Sequence, residues 1–411
     1  MTEILSSLDD TNTILFLVWA RQVGKTTLLK SLLSEWHIEK DKTVFLLWDH
    51  MQFEWIETYE SLLAYIQLQS YNLKDIKYLI IDEAQYIKNI GLILKVFIDK
   101  IRLGKYHIKL IVSGSGSLNV FKGMTDSLIW RKKVIHIHPF SFEEFLQAKN
   151  ISYVKSTDKN INTILLQHFK EYIQYGWYPA VVTAPGYEDK QEIFSTLLYD
   201  YLQKDVSMML HHKELVNFKK FLTIIAKKVG TVFSIQQIVE EMWVSRYILE
   251  KYFWVIENSF LLHQIHPRSG WKIAREMKKK TKVYFADTGI LHYLLWIHAS
   301  HINTQWKLVE NFVCNEIKSK INKSTELLYR SNIAWWEVDF LMYNQLAGTI
   351  IPVEVKSWNK TQIPKSMSHF LDTYKEYIPK AYITTETAYA HRNKWLDIEF
   401  IPYVQISNYI F

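Results

Sequence analysis

Glycine is scarce in this sequence. Twelve glycines occur among 411 residues, where a usage near ~7% would supply about 29. Tryptophan is abundant in the same measure. There are 15, and the two residue types together approach the count expected for glycine alone. Cysteine is almost absent. A single Cys314 cannot form an intrachain disulfide, which excludes a disulfide scaffold and leaves nothing to argue for an oxidising compartment. No apolar run approaches the ~20 residues a membrane helix requires, so no membrane span is expected. Met1-Thr2-Glu3-Ile4-Leu5 lacks the basic and apolar segments of a secretion signal, and the cytoplasm is the expected location. Neither charge dominates: 49 Lys and Arg face 42 Asp and Glu, for a net charge of +7. That balance permits nucleic-acid binding without requiring it. Repeats and low-complexity linkers are also missing, so the two or three domains this length suggests should pack together.

Five short apolar segments lie in the first 140 residues. Thr13–Val18, Thr43–Trp48, Lys77–Ile81 and Lys109–Ser113 read as buried strands, and Val134–His138 as a weaker fifth. Helical segments alternate with them, which predicts a parallel α/β sheet. Helices follow at Phe142–Ala148, Thr163–Tyr175 and Lys190–Asp205. A small helical unit closing in a strand pair spans Phe218 to Phe285. A helix from Lys307 to Lys320 then leads into strands at Leu327–Arg330, Glu337–Tyr343 and Thr349–Lys356, an α+β module.

The first strand runs into Trp19-Ala20-Arg21-Gln22-Val23-Gly24-Lys25-Thr26-Thr27, with a helix beginning near Leu28. A phosphate-binding loop reads G-x-x-x-x-G-K-[ST] between strand and helix. Its N–H groups wrap phosphates where the helix dipole favours anions. Lys25 would neutralise the terminal phosphates of ATP, and Thr26 would ligate Mg²⁺. Only the first position departs, with Trp19 in place of glycine. A second apolar strand ends in Asp82-Glu83. Asp82 would hold Mg²⁺ through water, and Glu83 would polarise the attacking water as general base. A third ends in Ser113-Gly114-Ser115, where Ser115 is the expected sensor of the γ-phosphate.

In the middle region, Phe233–Met242 reads as an amphipathic helix and Arg246–Glu257 as a second, with Ser245 as its N-cap. Two helices joined by so short a turn form a helix-turn-helix pattern. The basic run Lys272, Arg275, Lys278, Lys279, Lys280 and Lys282 then resembles the wing of a winged helix, with its cations expected on nucleic-acid phosphates. The other reading is a packing lid. Further on, Asp339 lies on one strand and Glu354-Val355-Lys356 on the next. Residues i and i+2 of a strand share a face, so Glu354 and Lys356 point together. Asp339 and Glu354 would bind Mg²⁺ through oxygens, Lys356 would orient or activate a water, and Glu310 could complete the site. A structural charge cluster is the alternative.

Taken together, these motifs resemble the prokaryotic AAA-type P-loop ATPases that carry a C-terminal restriction-endonuclease-like domain. The resemblance rests on Ala20–Thr27, Ile81–Gln85, Ser141–Phe145, Tyr178-Pro179, Tyr284–Gly289, Glu310–Val313, Glu337–Phe340 and Glu354–Ser357. It covers about residues 13 to 360. It implies a P-loop ATPase domain over 1–140, a helical lid over 141–215, a winged-helix-like domain over 216–290 and a restriction-endonuclease-like domain over 291–411. It also implies Mg-ATP binding and is compatible with a homo-oligomer; Arg131 stands where such proteins carry an arginine acting on a neighbouring subunit's nucleotide, the other reading being an exposed basic residue beside Lys132 and Lys133. Nucleic acid is the expected target. A non-hydrolytic regulatory protein with an inactive docking domain is the rival.

The same pattern expects glycine where this chain has Trp19, Trp130, Trp177, Trp243, Trp306, Trp336 and Trp358. Glycine serves where backbone approaches a ligand or takes positive φ. Tryptophan is too large to sit beside a bound phosphate and takes positive φ only under strain. The expectation is that these codons are UGA, decoded as glycine in the source and written as tryptophan.

Overall fold

The computed structural model describes residues 2–19, 24–34, 39–47, 55–69, 72–115, 128, 130–138, 140–152, 154–207, 210–268, 280–297, 305–331, 337–393 and 396–411. They divide into two compact units. One holds residues 1–138 and 258–260, the other residues 139–257 and 261–411. The modules expected after residue 140 therefore pack as one body.

The first unit is built on β1 (Ile14–Trp19), β2 (Thr43–Leu47), β3 (Tyr78–Asp82), β4 (Lys109–Ser115) and β5 (Lys132–Ile137), in the order β2-β3-β4-β1-β5. Every pairing is parallel. Residues Ile14 to Val18 are all buried, as a strand covered on both faces must be. Each such side chain contributes roughly 1.5–3 kcal/mol. Helices α1 (Lys25–Ser34), α2 (Tyr59–Leu68) and α3 (Ile90–Arg102) connect the strands. Thr58 and Ser61 form a capping box that starts α2. Phe97, Ile98 and Leu94 of α3 join Tyr59 and Leu62 of α2 in the core with the strands. The five expected strands are present with shifted ends, and the helix after the loop begins at Lys25 instead of Leu28.

The second unit opens with α4 (Phe142–Ala148), α5 (Lys159–Tyr175), α6 (Pro179–Thr183) and α7 (Tyr187–Asp200), the last continuing as a π-helical turn over Tyr201–Val206. A segment follows in the order α8 (His212–Lys228), β6 (Phe233–Ser234), α9 (Ile235–Met242), α10 (Arg246–Asn258), β7 (Leu262–Ile265) and β8 (Lys280–Phe285). Its three strands form a sheet in the order β6-β8-β7. Then come α11 (Thr288–Ile297), α12 (Gln305–Lys320), β9 (Thr325–Ser331), β10 (Glu337–Asn344), β11 (Ile350–Glu354), α13 (Lys365–Tyr374), β12 (Lys380–Thr385), β13 (Ala390–Asn393) and β14 (Asp397–Pro402). The last six strands form a mixed sheet in the order β13-β14-β12-β11-β10-β9. β9, β10 and β11 are an antiparallel meander, and β12 returns parallel to β11 after α13. Met367, Phe370 and Leu371 of α13 pack on this sheet.

Helix α12 is the axis of the unit. Lys307 through Ile317 are all buried, the mark of a helix enclosed on every side. Its Phe312 ring meets Phe142, Phe169 and Tyr172 at 6.1, 4.7 and 5.7 Å. Glu316 accepts from the Phe142 N–H at 3.0 Å, so a buried carboxylate joins α12 to the start of α4. Gly176 ends α5 at φ +66, and a β-carbon there would collide with the Asp287 carboxylate.

Candidate functional site

The parallel register brings four strand ends, those of β1, β2, β3 and β4, to one edge of the first sheet. Trp19 stands opposite Ser115, Ile81 opposite Val112 and Leu47 opposite Asp82. β1 delivers the phosphate-loop sequence at this edge. Ala20, Arg21, Gln22 and Val23 lie outside the described residues, as do the side chains of Trp19, Lys25, Thr26 and Ser115. Gly24 closes the loop at φ +88, and its carbonyl accepts from the Leu28 N–H at 2.9 Å. Thr27 is exposed on the first turn of α1.

Asp82 is fully buried at this edge. Its Oδ1 accepts from the Glu83 N–H at 2.9 Å and from the hydroxyl of Ser113. The side chain tied to Asp82 is thus Ser113, two residues before the expected Ser115 and on the same face of β4. Strand alternation signals it in the sequence. Glu83 takes φ 54 and ψ 40, a left-handed conformation uncommon for residues other than glycine. Such strain persists where surrounding structure enforces it, and it clusters at functional sites.

Arg131 sits elsewhere. It precedes β5, and its carbonyl accepts from the Ile14 N–H at the start of β1. Six strand residues, about 16 Å, separate that end from the phosphate loop. Its guanidinium pairs with Asp99 at 3.0 Å. Arg131 does not reach this chain's own nucleotide edge.

A second cluster forms in the other unit. Glu310 of α12, Glu337 and Asp339 of β10, and Glu354 of β11 converge there. Lys356, just past the end of β11, places its Nζ 2.8 Å from Glu354 Oε1, as the i, i+2 reading expects. Thr384 of β12 holds the backbone of Lys356 through two hydrogen bonds of 2.8 and 2.9 Å. Asp339 Oδ2 accepts from the Val355 N–H at 2.9 Å, which locks β10 to the Glu-x-Lys segment. The sequence reading missed two members. Lys282 of β8 has no exposed side-chain surface and meets Glu310 Oε1 at 3.1 Å, Asp339 Oδ1 at 3.4 Å and Glu337. Tyr284, on the same face of β8, donates to Glu310 Oε1 at 2.6 Å. Lys282 therefore corrects the expectation that this whole basic run faces nucleic-acid phosphates. Carboxylates from α12 and β10 have drawn it into the interior. Residues 271–279 of the run lie outside the described residues.

Burial sets the electrostatics of the cluster. It lifts the Glu354 carboxyl to about 8, with Asp339 adding to the rise and Lys356 opposing it. It lifts Glu310 to about 7, against the pull of Lys282. Burial opposes the charge on Lys282, yet Glu310, Tyr284, Asp339 and Glu337 hold the ammonium well above its usual range. Glu354 Oε2 is buried without a hydrogen-bond partner among the described residues. Buried polar atoms are seldom left so. Four carboxylates face two ammonium groups, and burial works against ionising all four, holding protons on Glu354 and Glu310. The expected cation ligands Glu310, Asp339 and Glu354 gather around Lys282 and Lys356, but their oxygens do not all lie within 4.8 Å of one another, a spacing met among the described residues by His391, Asp397 and Glu399.

On the helix pair of the middle segment, the cations are largely engaged. Arg246 pairs with Glu250 at 2.7 Å and Lys251 with Glu214 at 3.0 Å. Ser245 accepts from the Ile248 N–H at 3.3 Å, as an N-cap should.

Comparison with known proteins divides the chain in three. Residues 11–146 match the family described as "AAA domain", 166–301 a domain of unknown function (DUF8612), and 307–405 another (DUF4143). An uncharacterised protein of Haemophilus influenzae is 22% identical over 378 residues, covering 90% of this chain and 89% of its own length. An uncharacterised protein of Methanocaldococcus jannaschii is 23% identical, the match spanning 67% of this chain and 60% of that protein. Among solved structures, RuvB of Thermotoga maritima covers 64% of this chain and 87% of its own, at 13% identity and a TM-score of 0.29. DnaA of Aquifex aeolicus, bound to AMPPCP, covers 62% of this chain and 86% of its own, at 13% identity and a TM-score of 0.31.

Proposed function

We propose that this chain, with its AAA domain over residues 11–146, is an ATPase. The observation that carries the reading is the meeting of Asp82, Glu83 and Ser113 with the end of β1 at one edge of a parallel sheet. In such sheets ligands bind at the carboxyl ends of the strands. Lys25 would neutralise the terminal phosphates. Thr26, and Asp82 through water, would hold the Mg²⁺ that ATP brings. Glu83, turned by its left-handed backbone, would take the proton of the attacking water. Ser113 orients the Asp82 carboxylate, and Ser115 is the candidate for sensing the γ-phosphate. Arg131 is assigned to a neighbouring copy's nucleotide, which makes a homo-oligomer part of the reading. The test is Mg-ATP turnover by the whole chain. Glu83→Gln should lower turnover by roughly 10²–10⁴-fold with nucleotide still bound, and Lys25→Ala should weaken binding itself. Full turnover in Glu83→Gln would overturn the assignment.

The second unit is read as a winged-helix-like segment followed by a restriction-endonuclease-like module acting on nucleic acid. The order α8-β6-α9-α10-β7-β8 with its three-stranded sheet supports the first part. Helix α12, the β9–β11 meander, α13 and parallel β12 support the second. Asp339, Glu354 and Glu310 would have to draw together to hold a divalent cation, and Lys356 would position water against a phosphodiester.

Tryptophan bears on the loop. Trp130 has φ 66 and Trp243 φ 56, where bulky residues are outliers. Trp243 terminates α9 in the position glycine usually fills. The Trp177 indole N–H is buried without a partner among the described residues. These observations support decoding of UGA as glycine at such positions, Trp19 included. Reading the codons tests it, and UGG at positions 19, 177 and 336 would sink it. Trp19 as written favours the other reading, a non-hydrolytic regulatory protein. Failure to bind nucleotide even after Trp19→Gly would establish that reading instead.

A further inference from the structure

At the edge of the six-stranded sheet, strand pairing collects a second group of chemistry-bearing side chains. β13 is the outermost strand and pairs antiparallel with β14, which sets His391 opposite Glu399. Asp397 lies two residues before Glu399 and shares its face. On the other side of β14, β12 runs parallel with Lys380 opposite Asp397. The intervening residues Ala381, Ile398 and Phe400 point the other way, into the core beneath α13. The apolar alternation of β12 and β14 therefore fixes His391, Asp397, Glu399 and Lys380 together on the opposite face.

The donors are close as well as co-facial. One ring nitrogen of His391 and one oxygen each from Asp397 and Glu399 all lie within 4.8 Å of one another, within reach of a single ion. His391 turns its Nε2 to Asp397 Oδ1. Lys380 comes from the other side, its Nζ 2.8 Å from Glu399 Oε1 and 3.8 Å from Asp397 Oδ2. The imidazole and the ammonium thus approach different oxygens of Asp397. Side-chain exposure falls from 43% at His391 to 33% at Asp397 and 14% at Glu399, so the carboxylates recede and the imidazole stands on the solvent side. One imidazole with two carboxylates suits zinc better than magnesium or calcium, which favour oxygen alone. Three protein ligands leave the fourth tetrahedral position to water.

We propose that His391, Asp397 and Glu399 bind Zn²⁺ at the β13–β14 edge, with water as the fourth ligand and Lys380 as the ion's competitor for the carboxylates. This site is separate from the Lys282 cluster and needs neither the ATPase nor the nuclease reading. With one ligand on β13 and two on β14, the ion fastens a four-residue edge strand that the sheet holds from one side.

Zinc is titrated calorimetrically into the nucleotide-free whole chain, with excess Mg²⁺ present to occupy all-oxygen sites. One His391-dependent Zn²⁺ per chain is expected, with binding at least about tenfold weaker in His391→Ala. Lys380→Met removes a positive charge beside the ion and should tighten binding by about fivefold or more. Zinc should also raise the thermal midpoint of the wild type and not that of His391→Ala. Binding that survives His391→Ala unchanged belongs to other donors and would overturn the proposal, as would no binding at all. Unchanged affinity in Lys380→Met would overturn the placement of the ion between Asp397 and Glu399. His391 is exposed on an edge strand, so its replacement leaves the core intact.

Discussion

Single side chains in this protein are held in places their chemistry resists. Trp243 ends α9 in the left-handed region with 93% of its surface exposed, so it gains little packing in return. A left-handed residue with a side chain costs roughly 1–2 kcal/mol relative to the right-handed form. Trp243→Gly should therefore raise stability by about 1 kcal/mol, read as an increase in the thermal midpoint. A lower midpoint would contradict the strain. Asp287 is a second case. It caps α11 through the Ile290 N–H at 2.7 Å and accepts from the Trp177 N–H at 3.0 Å. Burial nonetheless outweighs these hydrogen bonds and pushes its carboxyl up to about 7. Between pH 4 and 7 the folded chain keeps a proton the unfolded chain has lost. Its contribution therefore falls as pH rises through that window and is flat above it. Asp287→Asn should flatten this part of the stability profile, and denaturant midpoints measured from pH 5 to 8 would reveal an unchanged slope if the carboxyl is not responsible.

Elements show what a linear chain can and cannot announce. The alternation of apolar strands and helices makes the parallel sheet legible, and the acidic end of an apolar strand marks Asp82, while Asp339 shows as an acid carried within a strand. Glu354 and Lys356 are legible as neighbours because a strand repeats every two residues. The tie between Ser113 and Asp82 depends on β4 lying next to β3, and strand order is set by long-range packing. Lys282 is harder still. It closes a run of surface-like lysines, and only its alternation with Tyr284 in an apolar strand hints that it turns inward. Asn311 acts between elements as well. Its side chain accepts from the Phe285 N–H at 2.7 Å and donates to the Phe285 carbonyl at 2.8 Å, at a strand end that carries no signal of its own. Asn311→Ala removes both of its bonds and leaves the Phe285 N–H buried and unpaired. A loss of about 1–3 kcal/mol is expected, and a chemical-denaturation midpoint within error of wild type would refute the clamp.

Across the whole molecule, the two candidate sites belong to separate compact units. Their chemistries should therefore separate by mutation. Asp339→Ala is expected to abolish Mn²⁺ binding at the C-terminal cluster with Mg-ATP turnover retained, and Lys25→Ala the reverse. Loss of both functions in either variant would show that the sites do not operate independently. No helix among the described residues is long and apolar enough to cross a membrane.

The ion cluster around Lys282 also constrains the order in which the chain can mature. Synthesis proceeds from the N-terminus, so Lys282 leaves the ribosome before Glu310, Glu337 and Asp339 exist. Until they emerge, β8 has nothing to neutralise a buried ammonium, and its N-terminal half has to stay wet. A nascent chain halted near residue 300 would carry a middle segment that cannot close, exposed to proteases and chaperones. The final third of the polypeptide is, in that sense, the folding partner of the third before it.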